Sequence, residues 1–79
     1  MYTVYVLKSI IKDFHYVGFT DNLGRRFPEH NLGYNRSTKA YRPFKLIYTE
    51  TVTTRKEARE KEKFLKSGKG REFIKSLEE

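Results

Sequence analysis

The chain has 79 residues, enough for one small domain with a single modest core, so the residues that fold it must also serve its function. It has no cysteine and two histidines, which excludes a disulfide scaffold and a thiolate zinc site and disfavours an all-imidazole one. Lys and Arg number 17 against 10 Asp and Glu, a net charge of +7 with a pI near 9.8, which favours a polyanionic partner, nucleic acid first, over charge that serves solubility alone.

Aromatic residues make up 15% of the chain, half of them Tyr, enough to build a core and leave rings for a site. No stretch nears the roughly 18 apolar residues of a membrane span. Met1 to Lys8 also lacks a signal peptide's cationic start and small-residue cleavage site, so a cytoplasmic location without membrane contact is expected.

Tyr2 to Leu7 alternates as a strand does. Ser9 to Asp13 forms a polar-flanked turn whose Ile10 and Ile11 are expected to cover one end of the core. Phe14 to Phe19 is the second strand, and the short connection predicts an antiparallel hairpin. With Leu7 opposite Phe14, Tyr5 falls opposite Tyr16 on one sheet face.

Thr20 or Asp21 then accepts hydrogen bonds from the free N–H groups of a helix that runs from Asn22 towards Asn31, with Leu23 and Phe27 facing the core. Arg26 and His30 stand four residues apart and project from one helix face. With Tyr16 they gather a phenol, a guanidinium and an imidazole at one strand-to-helix junction. Pro28 lacks the N–H that would bond the Gly24 carbonyl, which predicts a kink or an early end.

Asn31 to Tyr41 is a polar, basic loop, and Arg42-Pro43 is a turn. Phe44 to Val52 is the third strand, with Phe44, Leu46 and Tyr48 on one face and Ile47 on the other. Thr54-Arg-Lys-Glu57 fits a reciprocal capping box and opens a helix that reaches about Lys66. Ser67-Gly-Lys-Gly70 breaks it, and Arg71 to Leu77 forms a last short helix with Phe73, Ile74 and Leu77 inward. The order is β-β-α-β-α-α, an α+β pattern over residues 1–79 without internal repeat, linker or low-complexity segment.

Glu62 is anomalous because Ala58, Glu62 and Leu65 share the stripe that should face the sheet. A carboxylate turned that way pairs with an Arg or Lys, bends out to water, or holds a hard metal such as Mg²⁺. Arg26 has a plainer use in pairing with Glu29 or Glu60, and Tyr5 and Tyr16 taken singly read as half-buried sheet residues. As a set, two phenols, an Arg, a His and a lone inward Glu supply a base for water, a cation for the transition state and a metal ligand, as phosphodiester hydrolysis requires.

Arg36, Lys39, Arg42 and Lys45, interleaved with Tyr34 and Tyr41, could track a nucleic-acid backbone and stack bases, or form a solvated loop. Lys69 and Arg71, with nearby backbone N–H groups, could meet a phosphate at the last helix's start. A Gly-rich helix break accounts for the same residues, and the spacing is not that of a P-loop.

These residues together resemble a stand-alone GIY-YIG nuclease domain. Thr3-Val4-Tyr5 takes the place of the first tripeptide, Tyr16-Val17-Gly18 the second, and Asp21 to Asn31 the following helix; Arg42 to Tyr48 and Glu57 to Lys66 are also similar, so the likeness covers nearly the whole chain. Val for Ile and Thr for Gly change the tripeptide letters but keep both tyrosines.

The resemblance implies a small three-stranded antiparallel sheet flanked by helices and a metal-dependent endonuclease, DNA being the expected substrate, related to excision-repair and intron-homing nucleases. By that likeness Tyr16 activates water, Tyr5 orients the water or the metal shell, and Arg26 steadies the scissile phosphate. Glu62 holds one divalent ion, Mg²⁺ or Mn²⁺, and His30 matches a position that assists proton transfer in some members. No Asn follows Asn35, although some members have one after the metal Glu. Target choice is expected from this domain, a protein partner or a homodimer. The main rival is a non-catalytic nucleic-acid-binding module on the same fold.

Overall fold

A computed structural model describes residues 1–78. Three strands, β1 (Tyr2–Ser9), β2 (His15–Thr20) and β3 (Phe44–Val52), form an antiparallel sheet in the order β2-β1-β3. Helices α1 (Leu23–Leu32), α2 (Arg55–Lys66) and α3 (Gly68–Ser76) flank it, with a short 3-10 helix at Lys39–Tyr41. The fold is α+β in the expected order. Among the described residues no helix is long and apolar enough to cross a membrane.

As the central strand, β1 is covered on both faces, and Val4, Tyr5, Val6 and Leu7 are all buried. Val4 and Val6 join Val17, Ala58, Leu65 and Ile74 beneath α2 and α3. Tyr5 and Leu7 join Phe44 on the opposite face, where Tyr16, Leu23 and Phe27 pack against them beside α1.

The hairpin register differs from expectation by two residues: Leu7 lies opposite Tyr16 and Tyr5 opposite Gly18. Ser9 sets this. Its Oγ accepts from the N–H groups of Ile11 and Lys12 and donates to the Tyr41 carbonyl at 2.6 Å, so β1 continues to Ser9 before it turns. Ile10 and Ile11, 62% and 59% exposed, do not cover the core; hydrogen bonds rather than apolar contact shape this turn.

In β3 the pairing shifts between Val6 and Leu7, with Val6 opposite Tyr48 and Leu7 opposite Leu46. The extra residue, Ile47, reverses the face of everything beyond it. Tyr48 therefore packs with Ile47 on the α2/α3 side, edge-on to Phe73, and not with Phe44.

Asn22 caps α1 by accepting from the Arg25 N–H, and Thr20 Oγ1 accepts from the Asn22 N–H. Pro28 does not end the helix, which runs to Leu32 and closes on Gly33 in the left-handed region (φ 82°). The carbonyl that its ring crowds belongs to Gly24, the one residue of that turn without a side chain.

At α2 half of the expected capping box forms. Thr54 Oγ1 accepts from the Glu57 N–H, but the Glu57 carboxylate accepts from the Thr53 and Thr54 hydroxyls instead of a backbone N–H. The break after α2 is narrower than expected, because Ser67 alone separates the helices and caps α3 at Gly70. Ile74 is buried and Phe73 half-buried, whereas Leu77, past the end of α3, is 38% exposed.

Candidate active site

Tyr5 from β1, Tyr16 from β2, and Arg26 and His30 from α1 meet on the α1 face of the sheet. The two phenol rings lie diagonally, with centroids 6.1 Å apart. Gly18 makes room for them, since a Cβ there would stand 2.8 Å from Tyr16 Cε2 and 3.0 Å from the Tyr5 hydroxyl. The third position of Tyr16-Val17-Gly18 is thus held to glycine by close approach.

His30 is fully buried and packs 4.8 Å, centroid to centroid, from Tyr16. Its Nε2 is hydrogen-bonded to the Tyr5 hydroxyl at 3.0 Å and its Nδ1 to Thr38 Oγ1 at 3.1 Å. Burial, then the neighbouring Arg26, pushes the imidazole down to about 4 against the opposing pull of Glu29, so the ring is neutral at neutral pH. Burial, then Tyr16, pushes the Tyr5 phenol up to about 12 despite Arg26, which keeps it protonated.

The site therefore has two tiers. Tyr5 and His30 are sealed inside, while Tyr16 and Arg26 are partly open to solvent. Arg26 is held by Glu29 at 3.2 Å, one of the two partners expected of it. Burial alone would lower its pKa, but Glu29 and the two phenols hold it above its ordinary value.

Glu62 belongs to α2, in the opposite helical layer. It lies at the edge of the buried stripe, with its side chain 24% exposed and 3.3 Å from Lys66 Nζ. Lys66 and Tyr16 line the same cleft, about 550 Å³ in volume, with His15, Leu65, Arg71 and Lys75 among its walls. Glu62 is not on the walls of that cleft and reaches it only through Lys66, so the carboxylate expected to hold a metal stands apart from Tyr5, Tyr16, Arg26 and His30. Among the described residues no three His, Cys, Asp or Glu side chains are grouped to hold a metal. A lone carboxylate nonetheless suits Mg²⁺, which keeps several waters and takes substrate phosphate oxygens as ligands.

All six basic residues expected to meet nucleic acid are exposed. Lys39 and Arg42 gather over Gly33 at the end of α1. Lys45 pairs across the sheet with Lys8, which puts it on the α2/α3 face, apart from the basic loop. Lys69 and Arg71 stand in the first turn of α3, Arg71 on the cleft wall. Tyr34 is 72% exposed, but Tyr41 is stacked on Phe14 at 3.8 Å and is not free for a base.

Two residues with structural roles here had no local signal. Thr38 reads as one more polar loop residue, and only its burial reveals its contact with His30. Asn31 bridges α1 to β3 by accepting from the Phe44 N–H at 2.7 Å and donating to the Phe44 carbonyl.

A family model described as the GIY-YIG catalytic domain matches residues 1–75. The chain is 34% identical over 65 residues to the UPF0213 protein SERP0126 of Staphylococcus epidermidis, covering 81% of this chain and 79% of that one. It is 49% identical over 47 residues to a UPF0213 protein of Lactiplantibacillus plantarum and 38% identical over 52 residues to the UPF0213 protein YazA of Bacillus subtilis, covering 54% and 65% of this chain. The matched segment spans about half the length of those two relatives, 46% and 52%. No solved structure gives a significant match. The domain implies nucleic-acid binding, and the nucleases that carry it are generally metal-dependent. From the match over 75 of its 79 residues, the chain belongs to the GIY-YIG catalytic domain family, a family of nuclease type.

Proposed function

We propose that residues 1–79 act as a single nuclease domain that hydrolyses phosphodiester bonds in nucleic acid, DNA first, in the cytoplasm. What carries this reading is the convergence of Tyr5, Tyr16, Arg26 and His30 from three elements on one partly open spot. Tyr16, the outer tyrosine, takes the proton of the attacking water as its phenolate, having first released its own hydroxyl proton to solvent. Arg26 steadies the scissile phosphate and the charge that builds on it. Tyr5, protonated and buried, orients the outer groups, with His30 holding its hydroxyl. Glu62 is the residue that would hold Mg²⁺ or Mn²⁺, whose chemistry when bound is to neutralise charge on phosphate oxygens. Arg36, Lys39, Arg42, Lys45, Lys69 and Arg71 supply backbone contacts, and a homodimer or protein partner completes target choice.

A cleavage assay on single-stranded, duplex and branched DNA and on RNA, with Mg²⁺, Mn²⁺ or EDTA, tests this. Wild type cuts at least one substrate in a metal-dependent manner. Arg26→Ala lowers the rate by about 10²–10³-fold, and Glu62→Ala abolishes the response to added metal. The Glu62–Lys66 pair favours one rival, a binding module with an idle metal position. Binding by wild type without cutting under any condition would decide for that rival, whereas Glu62→Ala and Arg26→Ala cutting as fast as wild type would overturn the roles given to both residues.

A further inference from the structure

Thr38 is the only buried residue of the basic loop between Gly33 and Arg42, and nothing in the proposed chemistry uses it. Its Oγ1 lies 3.1 Å from His30 Nδ1 and 3.4 Å from the Asn35 carbonyl oxygen. A carbonyl only accepts, so the single hydroxyl proton is directed to Asn35 and a lone pair of Oγ1 faces His30. A neutral imidazole has one N–H and one bare nitrogen, and the bond made at one fixes the role of the other. With the hydroxyl proton on the Asn35 side, the His30 proton belongs on Nδ1, to be donated to Thr38. Nε2 is left bare, 3.0 Å from the Tyr5 oxygen, and accepts the Tyr5 O–H.

We infer that Thr38 is a positioning residue of the site, which locks His30 as the Nδ1–H tautomer and so commits the Tyr5 proton inward. Tyr5 then faces Arg26 and Tyr16 with lone pairs only. In the opposite tautomer Thr38 would donate to Nδ1, His30 would donate to Tyr5, and the Tyr5 proton would point outward at the groups that handle substrate. Thr38 lies between Arg36 and Lys39 in sequence, so the loop proposed to hold the nucleic-acid backbone also sets the inner tier of the site. The tautomer follows from hydrogen-bond geometry, whereas its effect on rate rests on the nuclease reading.

The two parts are tested separately. In ¹⁵N-labelled wild type at pH 7, long-range ¹H–¹⁵N correlation of the His30 ring is expected to show a protonated Nδ1 and a bare Nε2. The reverse pattern overturns the inference, whether or not the protein cuts nucleic acid. Thr38→Val keeps the side-chain volume and removes the acceptor. It should move the ring towards the Nε2–H form and lower kcat roughly tenfold or more, as lost orienting partners do, with KM for the oligonucleotide that wild type cuts unchanged. Thr38→Ser should restore both. A Thr38→Val protein with wild-type tautomer and kcat overturns the inference; should that variant not fold, the Thr38→Ser spectrum decides, because retention of Nδ1–H is required there. Absence of cleavage by wild type would sink the nuclease reading and leave the tautomer to the spectrum.

Discussion

The two faces of β1 are one residue apart in sequence and built on different physics. Towards α2 and α3, Val4 and Val6 meet Val17, Ala58, Leu65 and Ile74, a cluster that burial alone stabilises and that sets no directions. Towards α1, Tyr5 and Leu7 meet Phe44 and the buried His30, whose polar atoms must each find a partner once water is gone. They do find them: among the described residues no buried side-chain nitrogen or oxygen lacks a hydrogen bond. Each such bond adds only about 0.5–1.5 kcal/mol net, less than a buried aliphatic side chain, but it fixes an angle. So small a sheet divides its work: the interior of the α2/α3 face is stabilised by burial, and the α1 face holds the directional cluster of Tyr5, Tyr16, Arg26 and His30, with Glu62 on the far side.

The sharpest test of that division is Leu65→Ala. Leu65 is 2% exposed in the aliphatic cluster, so its truncation should cost about 2–5 kcal/mol, read as a lower urea midpoint. The catalytic rate per folded molecule should fall far less than in Arg26→Ala. A comparable fall in that rate would mean that the two faces are not separate.

A somewhat smaller effect should come from acid and belong to the α1 face. His30 is pushed down to about 4 in the fold against an ordinary value of 6.5, by burial first and Arg26 second, so protons bind the unfolded chain more readily. Its contribution is fully present above pH 6.5 and is lost as pH falls towards about 4, by up to about 3 kcal/mol at 1.36 kcal/mol per unit. Urea midpoints between pH 7 and pH 4.5 should fall less steeply in His30→Gln than in wild type. Equal slopes would place the acid sensitivity elsewhere.

The smallest effect concerns the loop above that face. Arg36→Ala should reduce the slope of log Kd against log salt for an oligonucleotide by about 1, as for one lost phosphate contact, and leave the urea midpoint unchanged. An unaltered slope would make Arg36 a solvated loop residue, and the loop's link to the site would then rest on Thr38 alone.

Much of this was legible from local signals. Thr54 and Glu57 marked the start of α2, β-branched and aromatic runs marked the strands, and β3 runs from Phe44 to Val52 as expected. The spacing of Arg26 and His30 put them on one helix face, and the structure brings both to Tyr16. Where expectation failed, a contact between distant segments outweighed a local rule. Ser9 bonds the Tyr41 carbonyl, 32 residues on, and moves the hairpin register by two. Ile47 becomes a bulge and carries Tyr48 to the other face, a choice made by the packing of Tyr48 against Phe73 and invisible to period-two counting. Pro28, expected to disturb α1, sits inside an intact helix.

The sequence by itself determined the family, the order of elements and the chemical groups available, because motif spacing, capping and hydrophobic period act over a few residues. Only the tertiary structure decided which polar groups lost their water. Tyr5, His30 and Thr38 come from three separate segments, and desolvation makes each the partner that the next requires. That mutual requirement is a property of the packed core and has no counterpart in any stretch of chain.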